Sequence, residues 1–582
     1  MGACLSNVRG GVAEVGGLLP TTVAEGVDAV DYDFDKAHQN TNVELCLSAR
    51  KLSDHLSFFS KRYLMAVLFK TSIEGELEEV GRTEEVMNDS DLNLYWSDKI
   101  CICYRFGALQ ELTVRVYDVN SRSQTVSTKE LQLHELGLVA EFRCHLSKIV
   151  RSQTEITVKP YNYQFQQPID NLVIRGEETA ASRGTYMKIL FRSSLDIGLY
   201  DRYISRKKQV LKILKVVDGE SIPICDEAEV VKTDQNPTWS VSLSMQKILS
   251  KDYPLVIQVF NKNSGTLFGK FQASISELEQ FHSEKVAIKS DKPHDHGPGK
   301  AIAPQLFVDD LSVIQPVTFC DYLSKGFELR LMVAIDFTVS NGDPKSPKSK
   351  HYIDPSGNLN TYQQVIKLVG DGLEPYDSSQ QIPAWGFGGK MDGEGCFNLY
   401  SNKDNNKAGV EGIMAAYKSA VQSVVLGGPA KLSKVINKAC DDISETLTLM
   451  SYKYNILLIL TDGDLFDIQP TIKSLVKASA LPLSILIVGV GDVDFKEMKT
   501  NLIRDNGHPL ESCEGRVATR DMVTFMSINE VPAGASIVET LFEHIPEQFM
   551  KYWQLYQTCL TGVHSLNGFK SSSHAQIIPG LS

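Results

Sequence analysis

The chain has 582 residues, 42% hydrophobic and 22% charged, with a formal net charge of -12. That length is too great for one hydrophobic core and implies roughly three to four domains. The acidic balance argues against non-specific nucleic-acid binding, and no apolar run approaches the roughly 20 residues that span a bilayer.

The chain opens Met1-Gly2-Ala3-Cys4-Leu5-Ser6. Glycine second and a hydroxyl sixth fit the myristoylation pattern, in which Gly2 takes the acyl group on its amine once Met1 is removed. One myristoyl chain gives only marginal membrane binding, so Cys4 is a candidate for a second, palmitoyl chain. A basic second signal is not expected, because Arg9 is the one positive charge before Lys36. No continuous apolar segment marks a secretory signal. Residues 7–40 carry glycines and little periodicity and read as a tether.

Two β-rich stretches follow. The first predicts strands at Val43–Ala49, Tyr63–Lys70, Lys99–Phe106 and Leu112–Asp118. The second predicts strands at Met187–Arg192, Gln209–Val217, Trp239–Leu243 and Leu255–Asn261. Each holds an asparagine and a tryptophan before a strand, Asn93 to Trp96 and Asn236 to Trp239. The recurrence predicts tandem β-sandwiches. The eleven cysteines are scattered, and only Cys101 and Cys103 are close. They read as free thiols of a reducing cytosolic compartment rather than a zinc site.

From Leu329 the pattern changes. Leu329–Ile335 reads as a strand buried on both faces, and Ala384–Phe387, Tyr454–Leu460, Leu483–Val490 and Val523–Ser527 as further strands. Helices are predicted at Tyr362–Leu373, Val410–Val421, Leu432–Met450, Ile468–Ala478, Asp494–Leu502 and Ile537–Tyr552. Strand-then-helix repetition predicts a doubly wound parallel sheet. The opening strand ends on Asp336, Thr338 and Ser340. In such a sheet, ligands bind at the carboxyl ends of the strands. One carboxylate and two hydroxyls there suit a hard divalent cation, Mg²⁺ or Mn²⁺. Asp462 follows another buried strand, and adjacent parallel strands would bring both aspartates to one rim. The alternative is that the hydroxyls merely cap the next turn. Gly463 and Gly489-Val-Gly491 match no phosphate or dinucleotide loop.

Both β units resemble C2 domains. The third resembles the copine type of von Willebrand A domain, through Asp336 to Gly342, His351 to Gly357, Pro383 to Gly388, Val410 to Tyr417, Thr461 to Gly463 and Gly515 to Asp521. With the Met-Gly start, the chain is similar to the plant copines called BONZAI proteins. The resemblance implies a multidomain chain: a tether over 1–40, C2 domains over 41–165 and 180–312, a von Willebrand A domain over 320–553 and a disordered tail over 554–582.

The same resemblance places Asp336, Thr338, Ser340 and Asp462 on a metal-ion-dependent adhesion site. There, a bound Mg²⁺ or Mn²⁺ keeps one position open for a partner's carboxylate. A further family ligand, a threonine, is replaced by Ala430. Of the C2 calcium positions, Asp54 and Asp118 match, while Leu56, Arg62 and Asn120 stand where acids are expected. Arg206 and Lys207 fall near the expected acidic positions of the second unit, and Lys208 follows. Affinity follows the number of anionic oxygens, so Ca²⁺ is expected to be weak or absent at the C2 domains. Arg206, Lys207 and Lys208 would instead face anionic headgroups, or simply form a solvated loop.

The reading is a non-enzymatic adaptor, lipid-anchored at the cytoplasmic face of the plasma membrane. It would bind anionic phospholipid and, through the von Willebrand A domain, protein partners, but no nucleic acid. The resemblance implies restraint of defence and cell-death responses, with roles in trafficking, calcium signalling and growth homeostasis. One alternative is a Mg²⁺-dependent enzyme of phosphoryl transfer or hydrolysis using Asp336 and Asp462. Another is a soluble scaffold with vestigial lipid and metal sites.

Overall fold

The computed structural model describes residues 41–52, 63–72, 75–87, 93–119, 131–161, 169–179, 181–193, 209–217, 220–232, 237–248, 251–262, 265, 267–290, 305–390, 395–400, 408–447, 452–463, 466–503, 509–531 and 536–566.

The first sandwich has two sheets. In one, Thr41–Leu52 pairs antiparallel with Asn93–Tyr95 and Ile100–Tyr104 and lies beside Ile169–Glu178. In the other, Tyr63–Thr71 lies between Leu77–Arg82 and Glu111–Asp118, and Gly137–His145 follows. Val43, Leu45, Leu47 and Ala49 alternate into the core, as a half-buried strand requires. The indole of Trp96 donates to the Leu64 carbonyl across the sandwich, at 3.1 Å. The boundary expected at 165 falls short. Ile169–Glu178 belongs to this sandwich and buries Leu172, Val173 and Ile174. Its apolar run is three residues between charged flanks, too short to stand out.

The second sandwich is a continuous eight-stranded sheet folded on itself. The long strand Glu220–Lys232 pairs at one end with Gln209–Val217 and at the other with Thr238–Ser244. It thus carries the chain from one layer to the other. Met187, Ile189, Phe191, Trp239, Val241 and Leu243 fill the interior from alternate positions. The closing strand, Gln305–Ile314, ends slightly past the boundary expected at 312.

The third domain is a six-stranded sheet in the order Cys396–Asn398, Ala384–Phe387, Glu328–Asp336, Lys453–Thr461, Leu483–Gly489 and Val523–Ser527. All neighbours are parallel except the first pair. The opening strand shows why both faces must be covered. Leu329, Leu331, Val333 and Ile335 join a core with helices Thr361–Leu373 and Gly409–Ser423. Met332 and Ala334 join a second core with Leu432–Thr446 and Ile468–Ala478. This is the doubly wound arrangement. The expected closing helix is two helices, Ile537–Phe542 and Ile545–Leu566. The second continues past the expected start of a tail at 554. Trp553 is buried there against Phe327, with ring centroids 5.0 Å apart, and Tyr556 packs on Trp553.

The first sandwich and the α/β domain form one compact unit, and the second sandwich forms another. Within the first unit, Phe106 meets Phe319 and Tyr376 at 5.1 Å and Phe542 at 5.4 Å. The hydroxyls of Tyr104 and Tyr376 are hydrogen-bonded, and Arg151 donates to the Pro375 carbonyl. Gly107 lets the chains approach, because a Cβ there would lie 2.0 Å from Phe542.

These two domains should therefore unfold as one cooperative block. Phe106→Ala is expected to destabilise that block by about 3–5 kcal/mol. Urea unfolding monitored by tryptophan fluorescence checks this; an unchanged midpoint would contradict the shared core.

Candidate functional site

The site begins where the opening strand runs out of partners. Asp336 is its last residue, and Val339–Asn341 turns the chain sharply. The Val339 N–H donates to the Gly427 carbonyl at 2.9 Å. Asn341 locks the turn from within. Its side chain accepts from the Tyr362 hydroxyl at 2.7 Å and donates to the Thr338 carbonyl at 3.3 Å.

The neighbouring strand Lys453–Thr461 is in parallel register, with Ile335 opposite Leu460. That register brings Asp462 beside the turn. Asp336 Oδ1 accepts from the Thr338 N–H at 2.9 Å, and Oδ2 from the Thr461 hydroxyl at 2.7 Å. Asp462 Oδ1 accepts from Ser340 Oγ at 2.8 Å and Thr338 Oγ1 at 3.2 Å. The two hydroxyls are 2.8 Å apart. Asp336, Thr338, Ser340 and Asp462, all expected from the sequence, are thus one hydrogen-bonded cluster. Both carboxylates are fully buried. Burial, and then the negative charge of Asp462, push the Asp336 acid up to about 6 against the pull of its donors.

Three participants were not identified from the sequence. Thr461 donates to Asp336, although it stands in a motif singled out only for its aspartate. His351 is fully buried, stacked between Phe337 at 5.0 Å and Tyr362 at 4.7 Å. Its Nε2 lies 2.9 Å from the Asp336 carbonyl and Nδ1 2.8 Å from the Tyr417 hydroxyl. A carbonyl can only accept, so Nε2 carries the proton and Nδ1 receives the phenol. Burial lowers the imidazole pKa to about 4, which keeps it neutral. His351 is therefore a prop under the strand end. The third is Lys350, whose Nζ lies 2.8 Å from Asp462 Oδ2. It is one of three lysines in the polar run 344–350, and nothing in that run marks it.

Two carboxylates and two hydroxyls form an oxygen set that fits a hard divalent cation. Ala430, whose methyl carries no oxygen, is buried in the apolar core with Leu432. Asp118 ends its strand in the first sandwich. Its expected companion Asp54 lies outside the described residues. So do Gly2, Cys4, Arg206, Lys207 and Lys208. Among the described residues, no helix is long and apolar enough to cross a membrane.

Two family models match the chain. A model described as Copine matches residues 349–559, and one described as C2 domain matches residues 224–289. Protein BONZAI 2 of Arabidopsis thaliana is 40% identical over 579 residues, 95% of this chain and 97% of that protein. The chain belongs to the copine family. Protein BONZAI 1 of the same plant is 40% identical over 578 residues, 95% of this copine and 99% of its own length, which puts the copine in the BONZAI type. A solved structure named BON1-C2B is 34% identical and covers 23% of this copine and 97% of that chain, with a TM-score of 0.19. The Copine match begins at Ser349, so it takes in Lys350, His351 and Asp462 and starts after Asp336.

The buried carboxylate pair predicts a sign. Asp336 holds its proton more tightly in the folded chain than in the unfolded one. Its contribution therefore favours folding in acid and is lost as pH rises through about 6. Asp336→Asn keeps both hydrogen bonds, accepting from the Thr338 N–H and donating to the Thr461 hydroxyl. In chelator at pH 7.5 it should be about 1–3 kcal/mol more stable than the wild type, with the gap narrowing towards pH 4. Urea unfolding at the two pH values checks this.

Proposed function

We propose that this copine is a membrane-held, non-enzymatic regulator that docks protein partners at the rim built by Asp336, Thr338, Ser340 and Asp462. The observation that carries the reading is the convergence of those four side chains from two adjacent strand ends. Mg²⁺ or Mn²⁺ bound there would offer a Lewis-acidic position to a partner's carboxylate. The chain's own residues supply the oxygens and hold them, through His351, Asn341 and Thr461. Exposed apolar side chains lie on the loops leaving these two strand ends and the next one along the sheet: Val339 at 67%, Phe466 at 67% and Val493 at 40% exposure. They suit a protein surface around that carboxylate better than a small polar substrate.

His351 also speaks against the enzyme reading. Its imidazole lies directly beneath the Asp336 strand end, yet both its nitrogens are committed and it is held neutral. A general base must reach the proton it abstracts.

Gly2 and Cys4 would carry myristoyl and palmitoyl chains at the cytoplasmic face of the plasma membrane. The C2 domains would add contacts to anionic phospholipid, with Arg206, Lys207 and Lys208 meeting headgroups. Calcium would play a small part, given the acids missing beside Asp54 and Asp118. Likeness to BONZAI proteins over nearly the whole length supports roles in restraining defence and cell death, in trafficking, in calcium signalling and in growth homeostasis.

Fractionation of cells expressing the wild type, Gly2→Ala and Cys4→Ser tests the anchor, each with calcium and with chelator. The wild type should stay with membranes in chelator, and Gly2→Ala should become mostly soluble. Cys4→Ser should be retained only partly. Release of the wild type by chelator, or retention of Gly2→Ala, would overturn the acyl anchor.

A further inference from the structure

The rim already contains a cation. Lys350 places its ammonium 2.8 Å from Asp462 Oδ2, the one oxygen of that carboxylate not taken by Thr338 or Ser340. Asp462 is wholly buried, while the lysine side chain is 26% exposed, so the pair sits at the mouth of the site. The lysine is positioned there by its neighbours. Its backbone N–H donates to the Asn341 carbonyl at 3.0 Å. On one side, Ser349 Oγ donates to the Asn341 carbonyl at 2.9 Å. On the other, His351 is locked under Asp336. Room for the stem comes from the next strand end. A Cβ on Gly491 would lie 2.7 Å from Lys350 Cε and 3.1 Å from Nζ, and Gly491 has a φ of +99°, which favours glycine.

We infer that Lys350 is a built-in counter-ion that a divalent cation must displace from Asp462, and that it sets the metal concentration at which the rim becomes competent to dock. The inference rests on the metal-dependent reading above. Two carboxylates facing one ammonium leave a single net negative charge, where a divalent ion would otherwise meet two. An ammonium and a divalent ion sharing one carboxylate repel each other across a few ångströms of a poorly screened site. Ala430 removes an oxygen that would help the ion win. With little metal, the lysine caps the site and keeps Asp462 paired. With enough metal, it swings outward to solvent, which its partial exposure permits.

Mn²⁺ titration of the full chain tests this, following free Mn²⁺ by electron paramagnetic resonance at pH 7.5. The proteins are the wild type, Lys350→Met, Lys350→Arg and Lys350→Met/Asp462→Asn. Methionine keeps the stem against Gly491 and removes the charge. Lys350→Met should bind Mn²⁺ about tenfold or more tighter than the wild type, and Lys350→Arg within about threefold of it. The double variant should lose the gain, which places the ion at this rim. Equal affinity of Lys350→Met and the wild type, with loss in the double variant, would overturn the displacement and leave the metal reading standing. An Mn²⁺ isotherm unchanged in the double variant would overturn both. Thermal unfolding in chelator reads folding separately: Lys350→Met should melt lower than the wild type, and Lys350→Arg close to it.

Discussion

Two buried carboxylates side by side are the constraint on which this structure depends. Parallel pairing of Glu328–Asp336 with Lys453–Thr461 leaves both strands ending at one rim, where Asp336 and Asp462 follow mostly apolar segments. Unpaired, two such charges are among the costliest things a fold can bury. Here nearly every neighbouring polar group answers them. The Thr338 N–H and Thr461 hydroxyl serve Asp336; Ser340, Thr338 and Lys350 serve Asp462. The charge left over is what would draw a cation to the rim, and Lys350, on the proposal above, would set how strongly.

The rest of the α/β domain keeps that rim rigid. His351, Tyr362, Tyr417 and Asn341 form a hydrogen-bonded, stacked layer beneath the turn, and all four are fully or almost fully buried. The same sheet carries its core outward to the first sandwich through Phe106, Phe319, Tyr376 and Phe542. A sandwich fixed to the α/β domain in this way moves with it, so lipid contacts made by the first C2 domain would orient the rim as well.

Much of this was legible in the sequence wherever periodicity is strong. Strands buried on both faces announce themselves as apolar runs, and the spacing of Asp336, Thr338 and Ser340 marks oxygen side chains that meet at the strand end. What stayed hidden depends on contacts distant in sequence. Lys350 is ordinary until a parallel strand delivers Asp462 across 112 positions. His351 resembles any core histidine until its two partners are seen. Ile169–Glu178 has too few apolar residues to be recognised alone and is a strand only because Thr41–Leu52 leaves it a place. The closing helix runs on to Leu566 although its pattern weakens after Tyr552, because Trp553 and Tyr556 find aromatic neighbours. Ala430 was visible as a missing oxygen, and the structure puts its methyl in the apolar core with Leu432 and Val435.

If this rim docks partners through a cation and is capped by its own lysine until one arrives, crystals grown with Mn²⁺ and measured at the manganese absorption edge should reveal it. An anomalous peak is expected among Asp336, Thr338, Ser340 and Asp462, with the Lys350 ammonium withdrawn from Asp462. A map without that peak at saturating Mn²⁺, with Lys350 still paired to Asp462, would contradict it.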